Sequence, residues 1–111
     1  MTAIMYKICF YVPVSHADEV KEALFLAGAG RIGDYEFCSW QVLGEGQFLP
    51  MKNSNPSIGR IGRLEQVREY KVEMVCGDDF IKDAINALIS AHPYEEPAYQ
   101  IVQVLTLSDL G

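Results

Sequence analysis

The chain is short of the side chains that do chemistry. Its 111 residues include two histidines, His16 and His92, and three cysteines, Cys9, Cys38 and Cys76. The cysteines are odd in number, none forms a C-x-x-C pair, and each falls inside an apolar, strand-like run. They read as buried free thiols of a reducing compartment, and a chain of this size needs no disulfide scaffold. The sequence carries no phosphate-binding P-loop and no evident Ser-His-Asp set. No segment is long and apolar enough to span a membrane. Basic residues are scarce too, nine against fifteen acidic ones, for a net charge of −6. Arg60, Arg63 and Arg68 are neighbours in sequence, but Glu65 and Glu69 interleave them. No basic stripe is therefore offered to a phosphate backbone, which argues against nucleic acid as a partner. Met1 to Lys7 show no basic region followed by an apolar run and a small-residue cleavage site. The expectation is a mature, cytoplasmic protein.

Half of the residues are hydrophobic, ample for one core, and residues 1–111 read as one domain. Met5 to Val12 is a nearly continuous apolar run rich in aromatic and β-branched residues, a strand ended by Pro13. Ser15 stands three residues before Asp18, a capping-box-like start to a helix. Val20, Ala23, Leu24 and Ala27 then fall on one helical face, and Gly28 ends it. Tyr35 to Leu43 alternates, with Cys38, Trp40 and Val42 on the parity expected to face the core. Gly44-Glu45-Gly46 reads as a hairpin turn, with Gln47 to Pro50 returning. Met51 to Gly62 is a polar, breaker-rich loop of the length at which loops are usually functional or mobile. Leu64 to Val67 can start a strand, and Tyr70 to Cys76 is a clearer one. Asp78 or Asp79 is the expected N-cap of a second helix, with Ile81, Ala84, Ile85 and Leu88 on its apolar face. Tyr99 to Leu105 is the last strand, and Thr106 to Gly111 a tail whose Leu107 and Leu110 could dock on a neighbour.

Two β-α-β units with a hairpin inserted between them are the pattern of an α+β, ferredoxin-like sandwich. Both helices cover one face of its sheet. Phe10, Phe37 and Tyr70 cannot all point inward, so the second face is expected to be buried by self-association.

The stretch Gly28-Ala29-Gly30-Arg31-Ile32-Gly33 matches G-x-G-x-x-G letter for letter. Dinucleotide binding needs those glycines between a strand and a helix N-terminus. Here they follow a helix, whose C-terminal end carries the wrong sign, and a tight turn explains them. The densest group of polar side chains is His92-Pro93-Tyr94-Glu95-Glu96-Pro97-Ala98-Tyr99. Two prolines stiffen it. On the structural reading, Tyr94 and Tyr99 pack and His92 caps the last carbonyls of the preceding helix. On the functional reading, His92 and Glu95 hold a divalent transition metal, with ligands completed by a neighbouring subunit. Acid–base chemistry by His92 paired with Glu95 is a third possibility. His16 reads as a surface residue. The ligand-binding candidates are His92, Tyr94, Glu95, Glu96 and Tyr35, and the 51–62 loop is the candidate contact for a protein partner.

Three of these motifs in this order, the 28–33 glycine turn, Gly44-Glu45-Gly46-Gln47-Phe48-Leu49-Pro50 and the 92–99 stretch, carry a resemblance. From about Met5 to Leu105 the chain resembles the middle domain inserted in YqfO-type members of the Nif-three-like dinuclear-metal family. The His-Pro-Tyr-Glu stretch is also similar to CutA proteins. The resemblance implies a CutA-like or PII-like ferredoxin fold, commonly a trimer. It implies further that the family's two metals are held by histidines and carboxylates of outer domains absent here. With His16 and His92 alone, one subunit cannot rebuild such a site, so the hydrolase or cyclohydrolase activity of that family is not carried across. The expectation is a stand-alone, non-catalytic, homo-oligomeric module, trimer favoured, for binding or regulation. Two alternatives are a small metal-dependent hydrolase whose site is shared between subunits and a purely structural interaction domain.

Overall fold

A computed structural model describes residues 4–111. Met1, Thr2 and Ala3, on which the leaderless reading partly rests, lie outside the described residues. The chain runs β1 (Met5–Pro13), a 3₁₀ turn (Val14–His16), α1 (Ala17–Leu26), β2 (Trp40–Phe48), β3 (Glu65–Gly77), α2 (Ile81–Ala91), β4 (Tyr99–Val104) and a last 3₁₀ turn (Leu107–Asp109). The four strands form one antiparallel sheet in the order β2-β3-β1-β4. This is the ferredoxin-like α+β arrangement expected from the sequence.

Antiparallel partners share a face of the sheet. Ile8, Phe10 and Val12 of β1 therefore lie beside Val72 and Met74 of β3 on the helix-covered face. Val20 and Leu24 of α1 and Ala84 and Leu88 of α2 close this core, all of them fully buried. The helical stripes read from the sequence are those that pack.

The helix starts are different from expectation. A 3₁₀ turn occupies Val14–His16, so α1 begins at Ala17 with His16 as N-cap and no side-chain cap. Ser15 Oγ hydrogen-bonds His16 Nδ1 at 2.8 Å instead of reaching the Asp18 backbone. Likewise Phe80, not an aspartate, is the N-cap of α2. Asp78 is turned towards β1, where it accepts the Tyr6 hydroxyl at 3.3 Å.

The second strand also moves. Tyr35–Ser39 is irregular, and β2 runs unbroken from Trp40 to Phe48, through the two glycines assigned to a turn. Trp40 and Val42 lie on the open face, 60% and 44% exposed, while Gln41 turns to the helices and accepts Lys21 Nζ at 2.8 Å. Phe10 and Tyr70 share the helix side. Phe37 is in the preceding loop, stacked on Phe25 at 5.1 Å. The open face is thus real, but Trp40, Val42 and Val102 define it rather than the three aromatics named above. Lys7 and Lys71, both within 4 Å of Glu73, lie across it. In the tail, Thr106 and Asp109 form a capping box, and Leu107 and Leu110 remain exposed.

β1 pairs with β3 only from Glu69 to Gly77, whereas β2 follows β3 out to Glu65. The β2–β3 hairpin therefore projects as an arm, and the molecule is 52 Å long but only 23 × 22 Å across. The long loop joining β2 to β3 folds back beside the turn that follows α2. No helix among the described residues is long and apolar enough to cross a membrane.

Candidate cleft between the long loop and the 92–98 turn

A cavity of about 850 Å³ opens where the arm leaves the body of the sheet. Its floor is the open face of the sheet at Tyr11, Gly46, Phe48 and Glu69. One wall is the loop from Leu49 to Ile58, and the other is the turn from Tyr94 to Ala98. The two polar stretches singled out in the sequence therefore meet. They are latched together: the Asn55 backbone N–H donates to Glu95 Oε2 at 2.9 Å.

His92 anchors the turn. It is 6% exposed, the one buried polar or charged residue among those described. Its backbone N–H closes the helix on the Leu88 carbonyl at 2.9 Å. Its ring does not cap the helix as expected; it crosses to β1, where Nε2 meets the Tyr11 carbonyl at 2.6 Å. A carbonyl only accepts, so Nε2 carries the proton and donates. The Tyr94 N–H donates to Nδ1 at 3.1 Å. Both ring nitrogens of a neutral imidazole are thereby used. Burial lowers the His92 pKa, partly offset by the bond to Tyr11 and by Glu69.

Tyr94 continues the chain of contacts. Its ring lies 4.9 Å from that of His92 and 5.6 Å from that of Phe48. Its hydroxyl donates to Glu69 Oε2 at 2.7 Å. Burial, then Glu69, pushes the phenol's pKa well up, so it remains a donor at neutral pH.

Of the ligand-binding candidates, Tyr94, Glu95 and Glu96 line the cavity and His92 stands behind Tyr94. Tyr35 does not join them. It is 75% exposed, in the loop after α1, held by a backbone bridge to Ile32. For the metal pair, His92 would have to release Tyr94 to free a lone pair. Among the described residues no three histidine, cysteine or carboxylate side chains gather as a metal site. His16 hydrogen-bonds Ser15 and lies 3.8 Å from Glu19. Sequence reasoning missed Tyr11, Gly46, Phe48 and Glu69. The signal for Glu69 was its parity with Lys71 and Glu73, hidden because the strand was begun at Tyr70.

No family model matches the chain. A GTP cyclohydrolase 1 type 2 homolog of Halalkalibacterium halodurans is 44% identical over 100 residues, 90% of this chain and 27% of that protein. The homolog of the same name in Mycobacterium leprae is 46% identical over 99 residues, 89% of this chain and 26% of that protein. The chain thus spans about a quarter of the length of the curated relatives it matches. Among solved structures, a Bacillus cereus protein related to NIF3 superposes with a TM-score of 0.80 at 38% identity, over 94% of this chain and 26% of that one. CutA from Synechococcus elongatus superposes with a TM-score of 0.65 at 15% identity, over 94% of this chain and 80% of that one, a likeness of fold. The chain is therefore similar, over nearly its whole length, to one module of the NIF3-related, GTP cyclohydrolase 1 type 2 homolog proteins, and it shares its fold with CutA.

Proposed function

We propose that the chain is a non-catalytic, cytoplasmic binding module, one domain over 1–111, that holds a small ligand in the cleft between the 49–58 loop and the 94–98 turn. The observation that carries this reading is the latched cavity, lined from both sides by the two polar stretches of the sequence. Concave sites with mostly apolar walls and a few placed polar groups are those that take small molecules. The polar groups behind the cleft are occupied in holding it. His92 has spent both nitrogens and Tyr94 keeps its proton, which favours binding over acid–base chemistry.

The module acts as a homo-oligomer, a trimer by likeness of fold to CutA. The uncovered sheet face and the projecting arm support self-association. In the assembly a neighbouring subunit approaches the cleft, and the 51–62 loop passes its state to a protein partner. The test is thermal shift and calorimetry with a panel of nucleotides, small metabolites and divalent metals, beside light scattering. Binding that is lost in His92→Ala supports the site, and a trimeric mass supports the assembly. No binding by the wild type, or binding indifferent to His92→Ala, defeats the site assignment. A clean monomer at micromolar concentration defeats the oligomer.

A further inference from the structure

Of the charged groups that line the cleft, Glu69 is the one whose carboxylate the fold holds at both ends. Oε2 accepts the Tyr94 hydroxyl at 2.7 Å. Oε1 lies directly over Gly46 of the neighbouring strand, where a Cβ would collide with it and come within 2.5 Å of Cδ. Gly46 does not adopt a left-handed backbone conformation. Glycine is therefore not required there by the turn of the chain. Its missing side chain is what lets the carboxylate lie down. The Gly44-Glu45-Gly46 and His92–Tyr99 stretches thus converge on a single anion. Glu69 is in none of the ion pairs formed among the described residues. Around it stand Phe48, Leu49, Met51 and Ile58. The lone cation of the lining, Lys52, is exposed on the loop. The half-buried carboxylate has one neutral donor and no cationic partner among the described residues, and a cation in the cleft would give it a charge-assisted bond.

We infer that Glu69 is the specificity-determining residue of the cleft, and that the ligand it selects is an organic cation, a protonated amine or guanidinium carried on an apolar body. The inference rests on the reading of the cleft as a ligand site. Glu69 supplies the charge, Tyr94 and Gly46 position it, and the apolar lining takes the body of the ligand.

Calorimetric titration of the intact chain with phenethylammonium, 3-phenylpropionate and phenethyl alcohol tests this. The three share an apolar ring and differ in charge. The cation is expected to bind about tenfold tighter than the anion, the scale of a charge-assisted bond. Glu69→Gln, which removes the charge and nearly keeps the shape, abolishes that preference. Gly46→Ala and Tyr94→Phe change no charge but displace the carboxylate, and each reduces the preference by about threefold or more. Circular dichroism of each variant confirms that it is folded, and a role confined to stability would leave the preference unchanged. Equal binding of cation and anion, binding of the alcohol alone, or a preference that survives Glu69→Gln overturns the role of Glu69 and leaves the cleft as a ligand site. Binding of none of the three overturns both.

Discussion

Each half of the chain ends a helix and hands over to the next strand, and the two turns do this by opposite means. After α1 the turn is made by backbone. Gly28, Gly30 and Gly33 all have positive φ, and the Gly30 N–H donates to the Val75 carbonyl at 2.7 Å. After α2 the turn has no glycine. Pro93 and Pro97 stiffen it, and the side chains of His92, Tyr94 and Glu95 tie it to β1, β3 and the long loop. A turn held by backbone hydrogen bonds packs its side chains on the helices, Ala29 in the core and Arg31 over the Phe80 ring, and leaves Tyr35 in solvent. A turn satisfied by side chains couples three other parts of the molecule and so encloses a cleft. The two turns thus divide the labour. The first holds the fold together and the second walls the cleft.

The sharpest way to break the first turn is Gly30→Val. Its φ of 78° is left-handed, and a Cβ there would lie 2.8 Å from the Phe25 ring and 2.9 Å from the Cys38 carbonyl oxygen. A loss of about 3 kcal/mol is expected in urea denaturation, from backbone strain and overpacking together. Because the cleft is remote, any folded fraction should bind ligand as before.

The second turn breaks at His92. His92→Gln keeps a donor but loses the dual fit of the imidazole, and about 1–2 kcal/mol is expected to go with it. The pH dependence is more telling. The folded chain lowers this pKa below the ordinary 6.5 by burial, so the unfolded chain takes up the proton first. Its contribution is fully present above the ordinary value and falls away as pH drops through it towards the folded value. Denaturation midpoints at pH 7.5 and 5.0 should diverge in the wild type, and the part of that slope due to His92 should vanish in His92→Gln. An unchanged slope would mean that the ring is not held neutral.

The smallest effect belongs to the latch. Asn55→Pro removes the N–H that Glu95 accepts. The bond is exposed, so stability should change by about 0.5 kcal/mol or less. The loop should nevertheless loosen, seen as faster amide exchange over residues 51–58 with no change around Gly28–Gly33.

The same contrast governs what could be read from the sequence. Helical stripes survive because two turns of apolar spacing leave little alternative, and Val20, Leu24, Ala84 and Leu88 pack as their spacing requires. Gly28–Gly33 was legible because its glycines take the positive φ of a turn directly after a helix, whatever else packs on them. Gly44 and Gly46 were misread as a turn because glycine is also used where a distant side chain must approach closely, and Glu69 is 23 residues away from Gly46 in sequence. The caps failed for a related reason. Ser15 and Asp78 found tertiary or neighbouring partners that local patterning does not register. Tyr94 and Glu95, singled out as ligand candidates within the stiff 92–99 stretch, line the cavity, but the floor beneath them required the register of β2 on β3.

On the proposed reading, the cleft between the loop and the 92–98 turn is the ligand site. Amide chemical-shift mapping of the isotopically labelled chain against a library of small charged and neutral molecules tests it most directly. Shifts for at least one compound are expected to concentrate at Gly46, Asn55, Glu69, Tyr94 and Glu95, with Tyr35 and the Gly28–Gly33 turn unmoved. Perturbations centred on that glycine turn, or none at the cleft with any compound, would contradict it.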